Sequence, residues 1–302
     1  MNVVVIGEVL WDLFDDAQHI GGAPFNFAVH TSRLGYDVSF ISAVGDDDLG
    51  RATLEKAQEL GLNTRYIRTT TEAPTGRVRV RLESGQPRFT IERPAAYDFP
   101  SLSEEDFSAI SIARPEWIYY GTLAQMSGPA RNVTQRLTAD NPQAKTFYDI
   151  NLRPDSYTVP LVRELLAGAS FLKISEDEVA AVLEMFDETA GTLLEFCRIY
   201  AERFGWQGVC VTRAARGCAL WLDGRYVESP GFRVTVADTV GAGDAFAAGL
   251  LHGLQQGWTA ERTADFANRL GAVVASRPGA IPAWTLQDVL GMAPQESRRE
   301  QE

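Results

Sequence analysis

The sequence predicts an α/β fold built on a parallel sheet, and three observations carry that expectation. Short buried-strand runs alternate with helical periods: residues 3–6, then 25–34, then 38–44, then a helix ending at Leu60. The helices are punctuated as helices should be, with Pro24 just inside the first and Gly35 just beyond it. Asp46-Asp47-Asp48 offers N-caps for the next helix, and Gly61 stops it. The third observation is bulk: 302 residues, 45% hydrophobic and 23% charged, suit one large domain with a substantial core.

Residues 76–93 break the rhythm. Val78, Val80 and Leu82 alternate with Arg77, Arg79 and Arg81, a period of two. Ser84-Gly85-Gln86-Pro87 then turns the chain into a second strand over 88–92. A hairpin with one apolar face needs cover, which an edge of the main sheet, a dimer contact or a lid over a site would each provide. Beyond it the α/β alternation resumes, with strands over 117–120, 146–150 and 170–174 and helices over 179–186 and 193–203. Three more strands are expected at 209–212, 219–222 and 226–228, the last two joined by a type I′ turn at Asp223-Gly224. Helices over 245–256 and 260–276 follow, and the charged tail 295–302 reads as frayed. There is no internal repeat.

Composition removes several classes of function. A formal charge of −12 argues against a nucleic-acid or anionic-membrane binder, so any phosphate site must be local. Cys197, Cys210 and Cys218 lack CxxC spacing and read as reduced core thiols. The N-terminus runs straight into Val3-Val4-Val5-Ile6 without a basic leader, and a cytoplasmic protein is expected. No GxGxxG follows that strand, so the dinucleotide fingerprint fails.

The run Asp238-Thr239-Val240-Gly241-Ala242-Gly243-Asp244 carries the chemistry. Gly241, Ala242 and Gly243 precede an apolar helix, where small residues let the backbone approach a ligand. The first amides of a helix lack intrahelical partners, and the helix dipole adds to them, which makes an anion site suited to a γ-phosphoryl group. Asp244 lies in that first turn, placed to accept a proton from a substrate hydroxyl.

This run, continued by Ala245-Phe246, resembles the C-terminal signature of the ribokinase-like (PfkB) carbohydrate kinases. Gly21-Gly22-Ala23-Pro24-Phe25-Asn26 resembles their other marker, most of all in its fructokinase version. The resemblance runs from Gly7-Glu8 to Gly279-Ala280. It implies a three-layer α/β/α sandwich forming one kinase domain over 1–302, with a β-lid from about 12–22 and 74–98. ATP with Mg²⁺ would be the donor and a sugar hydroxyl the acceptor. By the same resemblance Asp12, Gly21, Gly22 and Asn26 contact the sugar, and Gly21-Gly22 also serve as a hinge. Arg93, leaving the lid in Arg93-Pro94-Ala95-Ala96-Tyr97-Asp98, reaches substrate or phosphates or is a plain hairpin arginine. Arg153, ending Asp149-Ile150-Asn151-Leu152-Arg153, faces phosphate or acceptor.

The chain departs from the family pattern in three places. Ile150 stands where Pro is frequent. The N-x-x-E motif is Ser175-Glu176-Asp177-Glu178, in which Ser175 keeps a polar oxygen for the nucleotide and Glu178 a carboxylate able to act on Mg²⁺ through water. In Thr212-Arg213-Ala214-Ala215-Arg216-Gly217 the usual first glycine is Ala214, which leaves Thr212 and Gly217 for ATP, with Asn268 near the adenine. Backbone carbonyls around Asp238 and Arg277-Pro278-Gly279-Ala280 could line a loop for K⁺. The expected reaction is phosphorylation of D-fructose. 2-Keto-3-deoxygluconate and another ketose, hexose or nucleoside are the alternatives within the family, and a silent sugar-binding relative is the alternative outside catalysis. The half-apolar hairpin and the resemblance together imply a homodimer through the lids.

Overall fold

The computed structural model describes residues 1–14, 17–83, 86–189 and 191–292, with the backbone alone at 80–83 and 86–89. The expected turn at Ser84-Gly85 and the tail 295–302 lie outside the described residues. The fold is mixed α/β, with a large, mostly parallel sheet and a smaller one. The chain forms two compact units, Met1–Lys173 with Phe204–Trp206, and Ile174–Arg203 with Gln207–Glu302.

The first unit begins β1 (Asn2–Ile6), β2 (Leu10–Leu13), β3 (Gln18–Gly21), α1 (Ala23–Arg33), β4 (Asp37–Gly45), α2 (Asp48–Glu59) and β5 (Ile67–Thr70). It continues with β6 (Gly76–Glu83), β7 (Gln86–Ile91), α3 (Glu104–Ala113), β8 (Trp117–Gly121), α4 (Thr122–Gln125), α5 (Gly128–Asp140), β9 (Lys145–Asp149), α6 (Val159–Ala167) and the first three residues of β10 (Phe171–Ser175). Strands β10, β9, β8, β1, β4 and β5 lie side by side in that order, and every neighbouring pair is parallel. Parallel strands are covered on both faces, so they read as continuous apolar runs. Val3 to Ile6 are accordingly at most 1% exposed. An aromatic spine crosses these strands: Phe27 of α1 stacks on Tyr119 at 3.7 Å, and Phe147 meets Tyr119 at 5.5 Å and Phe171 at 5.2 Å.

The smaller sheet has the order β3-β2-β6-β7. Strand β2 runs antiparallel to β3 and parallel to β6, and β6 pairs with β7 as a hairpin. The alternating segment therefore belongs to a separate sheet, and an edge position in the main sheet is set aside. Strand β7 starts two residues earlier than expected, with Pro87 opposite Leu82. It is an edge strand, where a missing amide is tolerated. Leu10, Val78 and Ile91 seal the base of this sheet against Tyr97, Leu123 and Ala124.

The second unit holds α7 (Glu176–Met185), α8 (Leu193–Phe204), β11 (Gly208–Thr212), β12 (Cys218–Leu222), β13 (Arg225–Ser229), α9 (Ala242–Gln255), α10 (Ala260–Ala275) and α11 (Leu286–Leu290). Strands β11, β12 and β13 form an antiparallel meander. Its second turn has positive φ at both Asp223 (48°) and Gly224 (80°), as a type I′ turn requires. Helix α10 packs on β12, β13 and α9. Small residues set that helix pair close: a Cβ on Gly249 would stand 3.0 Å from Ala267 Cα, and one on Gly253 2.7 Å from Thr263.

Candidate active site

In the second unit the N-terminus of α9 is fixed by its own loop. Gly241 is the N-cap, with φ 77° and ψ −10°. That left-handed conformation suits glycine, and a Cβ there would also collide with the Ala280 carbonyl. Asp238 joins the loop before α9 to the loop after α10. Its Oδ1 accepts the Val240 amide at 3.0 Å, and its Oδ2 accepts the Gly279 amide at 3.1 Å. The stretches 238–244 and 277–280, far apart in sequence, thus meet at one helix start. Asp244 is half-buried in the first turn of α9. Two of its turn's amides are already used, Ala242 toward Thr239 O at 3.3 Å and Asp244 toward Gly241 O at 3.1 Å. The left-handed cap tightens the first turn, so the cradle is narrower than a run of free amides.

The Ser175-Glu178 pair forms a reciprocal cap on α7. Ser175 Oγ accepts the Glu178 amide at 3.3 Å, and Glu178 Oε2 accepts both the Ser175 amide and hydroxyl at 2.8 Å. This capping box starts α7 at Glu176, three residues before the expected 179. One carboxylate oxygen of Glu178, expected to act on metal-bound water, is therefore turned back onto the helix start.

In the turn after β11, Ala214 has φ 49°, the conformation that a glycine at this position would take freely. Arg213 pairs with Glu228 and Arg216 with Glu176 beside a cavity of about 450 Å³ that Thr192 and Leu194 also line. Its four charges pair two by two. Asn268 is 7% exposed, and its Nδ2 donates to Ser229 O, Ser229 Oγ and Pro230 O at 3.1–3.3 Å. That amide nitrogen pins the end of β13.

In the first unit Asp12 lies on β2 opposite His19 of β3. Burial raises the Asp12 pKa, and the charges of His19 and Arg153 oppose it. Gly21 flanks the carboxylate, since a Cβ there would be 3.4 Å from Asp12 Oδ2. Gly22, with φ 109°, is the N-cap of α1, and a Cβ there would fall 2.6 Å from Glu8 O. The Asn26 amide closes that first turn on Gly22 O at 2.9 Å, and its side chain is buried. Asp12 and Gly21 come together, the Arg153 charge lowers the Asp12 pKa, and Gly22 and Asn26 meet at the start of α1.

Arg93 is committed elsewhere. Its guanidinium grips Asp98 at 2.5 and 3.3 Å and donates to Leu123 O at 2.9 Å. Burial nevertheless raises the Asp98 pKa, against the Ala95 amide and Arg93. This clasp ties the segment that follows β7 to α4. Two groups escaped the sequence reading altogether: Lys173, buried in β10, and Tyr119, buried in β8, both bonded to Asp149. The signal for Lys173 was in plain view as a lysine inside the apolar run 171–174. Among the described residues no group of three or more His, Cys, Asp or Glu side chains could hold a metal ion alone.

The description "pfkB family carbohydrate kinase" matches residues 3–286. A fructokinase of Klebsiella pneumoniae is 32% identical over 309 residues, covering 96% of this chain and 98% of its own. An aminoimidazole riboside kinase of Salmonella typhimurium is 29% identical, covering 96% and 94%. The crystal structure of a Xylella fastidiosa fructokinase with bound ATP superposes with TM-score 0.84 at 26% identity, over 96% of this chain and 97% of that one. The chain belongs to the pfkB family of carbohydrate kinases, which makes it an ATP-dependent phosphotransferase. Its fold is the ribokinase-like one expected from the sequence.

Proposed function

We propose that this kinase transfers the γ-phosphoryl group of ATP to a hydroxyl of D-fructose. The observation that carries the reaction is the start of α9, where Gly241 caps the helix, Asp238 braces it and Asp244 stands in the first turn. In this reading the Gly241-Ala242-Gly243 backbone cradles the moving phosphoryl group, with the Ala242 amide kept by Thr239 O, and the Asp244 carboxylate takes the proton from the attacking hydroxyl. Asp12, Gly21, Gly22 and Asn26 hold the sugar, a carboxylate being able to accept from two neighbouring hydroxyls. Thr212, Gly217 and Ser175 would hold the nucleotide, and Glu178 would act through water on a Mg²⁺ bound with it. K⁺ is assigned to the loop at Asp238, the assembly is a homodimer through the lid sheet, and the site of action is the cytoplasm.

Fructose is favoured by the Gly-Gly-Ala-Pro-x-Asn marker and by the full-length likeness to the Klebsiella fructokinase. One observation favours a second reading. Arg153 is exposed yet near enough to Asp12 to act on its charge, so a guanidinium is available to a carboxylate-bearing acceptor such as 2-keto-3-deoxygluconate. Mg·ATP consumption by the purified protein, measured across fructose, 2-keto-3-deoxygluconate, other sugars and nucleosides including aminoimidazole riboside, separates the readings. The highest kcat/KM is expected with fructose. A clear preference for the keto acid or a nucleoside would replace that substrate, and no turnover with any acceptor would point to a silent relative.

A further inference from the structure

We infer that Lys173 is a positioning residue, which through Asp149 fixes the loop that carries Arg153 to the sugar side of the site. The inference rests on the proposed roles of Asp12 and Arg153 at the acceptor.

Lys173 interrupts the apolar run Phe171-Leu172-Lys173-Ile174 and is only 8% exposed. A lysine in the middle of a covered parallel sheet carries a desolvation cost that a leucine there would not. Its ammonium is matched by one carboxylate: Nζ lies 2.9 Å from both Oδ1 and Oδ2 of Asp149, itself 2% exposed. Tyr119 donates a third hydrogen bond, from its hydroxyl to Asp149 Oδ2 at 3.0 Å. Three adjacent strands, β8, β9 and β10, thus each contribute one polar group to a single buried knot.

The knot sits where the chain leaves the sheet. Asp149 is the last residue of β9, and the next amide, Ile150 N–H, donates to the Lys173 carbonyl at 3.1 Å. The Ile150 carbonyl accepts from the Thr122 hydroxyl. Asn151 then takes a positive φ of 37°, and Arg153 follows at the surface. The other end of the knot reaches the second sugar-side element. The Tyr119 ring stacks on Phe27 with 10° between the planes, and Phe27 is the neighbour of Asn26 on α1. One buried carboxylate is therefore clamped between the element that carries Asn26 and the loop that carries Arg153. Replacing a buried ion pair by apolar side chains is often neutral or stabilising, so stability alone is a poor reason for this lysine. Misplacing a substrate-holding group by an ångström is expensive in rate, which is a sufficient one.

The test compares wild type, Lys173→Met and Tyr119→Phe by melting temperature, kcat, and KM for acceptor and for ATP. Wild-type turnover on the acceptor panel is measured first, because failure there removes the proposed function and this inference with it. With an acceptor in hand, Lys173→Met is expected to raise the acceptor KM about tenfold or more. Its KM for ATP should stay within about twofold, whatever the melting temperature does. Tyr119→Phe keeps the ring stack and the ion pair and should raise the same KM by a smaller factor. A Lys173→Met enzyme that melts lower but keeps both KM values would make the lysine structural only. Should that variant not fold, an unchanged acceptor KM in both Tyr119→Phe and Lys173→Gln overturns the inference equally.

Discussion

At the scale of single residues, Asp244 in the first turn of α9 is the proposed proton acceptor. Asp244→Asn keeps the side-chain shape and removes the proton acceptor. Losing a general base of this kind costs roughly 10²–10⁴ in kcat. The melting temperature, recorded alongside, separates loss of the base from loss of the fold. Near-native turnover by the purified variant would remove Asp244 from the base role. Residues of this kind were legible because their order along the chain is itself the signal. Glu178 was legible in the same way, but a Ser-x-x-Glu sequence is also a capping box, and the local bonds at 2.8 Å follow the capping pattern. The partners of Lys173, Tyr119 and Arg93 were not legible. Lys173 and Tyr119 meet Asp149 across 24 and 30 residues of sequence, a pairing set by strand register. Arg93 was open between two readings for a related reason: which partner it meets depends on how residues 93–98 fold back on themselves.

At the scale of elements, Asp47 joins the start of α2 to the entry of β6. Its carboxylate accepts the Gly50 amide at 2.8 Å, the Thr75 hydroxyl at 2.6 Å and the Thr75 amide at 3.0 Å, with Arg77 at 3.4 Å. Burial alone would raise its pKa, but the Thr75 and Gly50 bonds and the Arg77 charge outweigh it, and the net shift is downward. A carboxylate with a depressed folded value stabilises the fold fully above its unfolded value of about 3.9 and loses that contribution as pH falls through the lower folded value. Asp47→Ala should cost about 0.5–2 kcal/mol at neutral pH, the worth of an N-cap. Asp47→Asn should flatten the acid limb of melting temperature against pH below about 4. An acid limb with the wild-type slope in the Asn variant would show that other carboxylates set it. Elements were legible where punctuation agreed with period, as at α1 between Pro24 and Gly35. Strands β2 and β3 were not, because four residues each, with Asp12 and His19 among them, are too short and too polar to show a period. The lid was drawn from the resemblance and from β6, whose eight residues do alternate.

At the scale of the whole molecule, the open question is what the smaller sheet meets. The sequence argued for a partner from the apolar face of β6. The chain supplies part of that cover itself, since Val78 is 5% exposed in the cluster with Leu10 and Tyr97. The case for a second copy therefore moves to the borders of the sheet. Strands β3 and β7 each end it, and unpaired strand edges are templates for association unless blunted. At the end of β2, Phe14 is 42% exposed, its ring set edge-on against His19 at 5.8 Å. A large apolar ring beside a sheet border is where the same sheet of a second copy would gain most by docking. Light scattering on the purified chain should thus give about twice the 33.2 kDa of one copy. Phe14→Glu would place a charge in that contact and should shift the mass toward a single chain while leaving ATP binding intact. A wild-type mass of one chain would refute the dimer, and a dimer indifferent to Phe14→Glu would move its interface away from the lid.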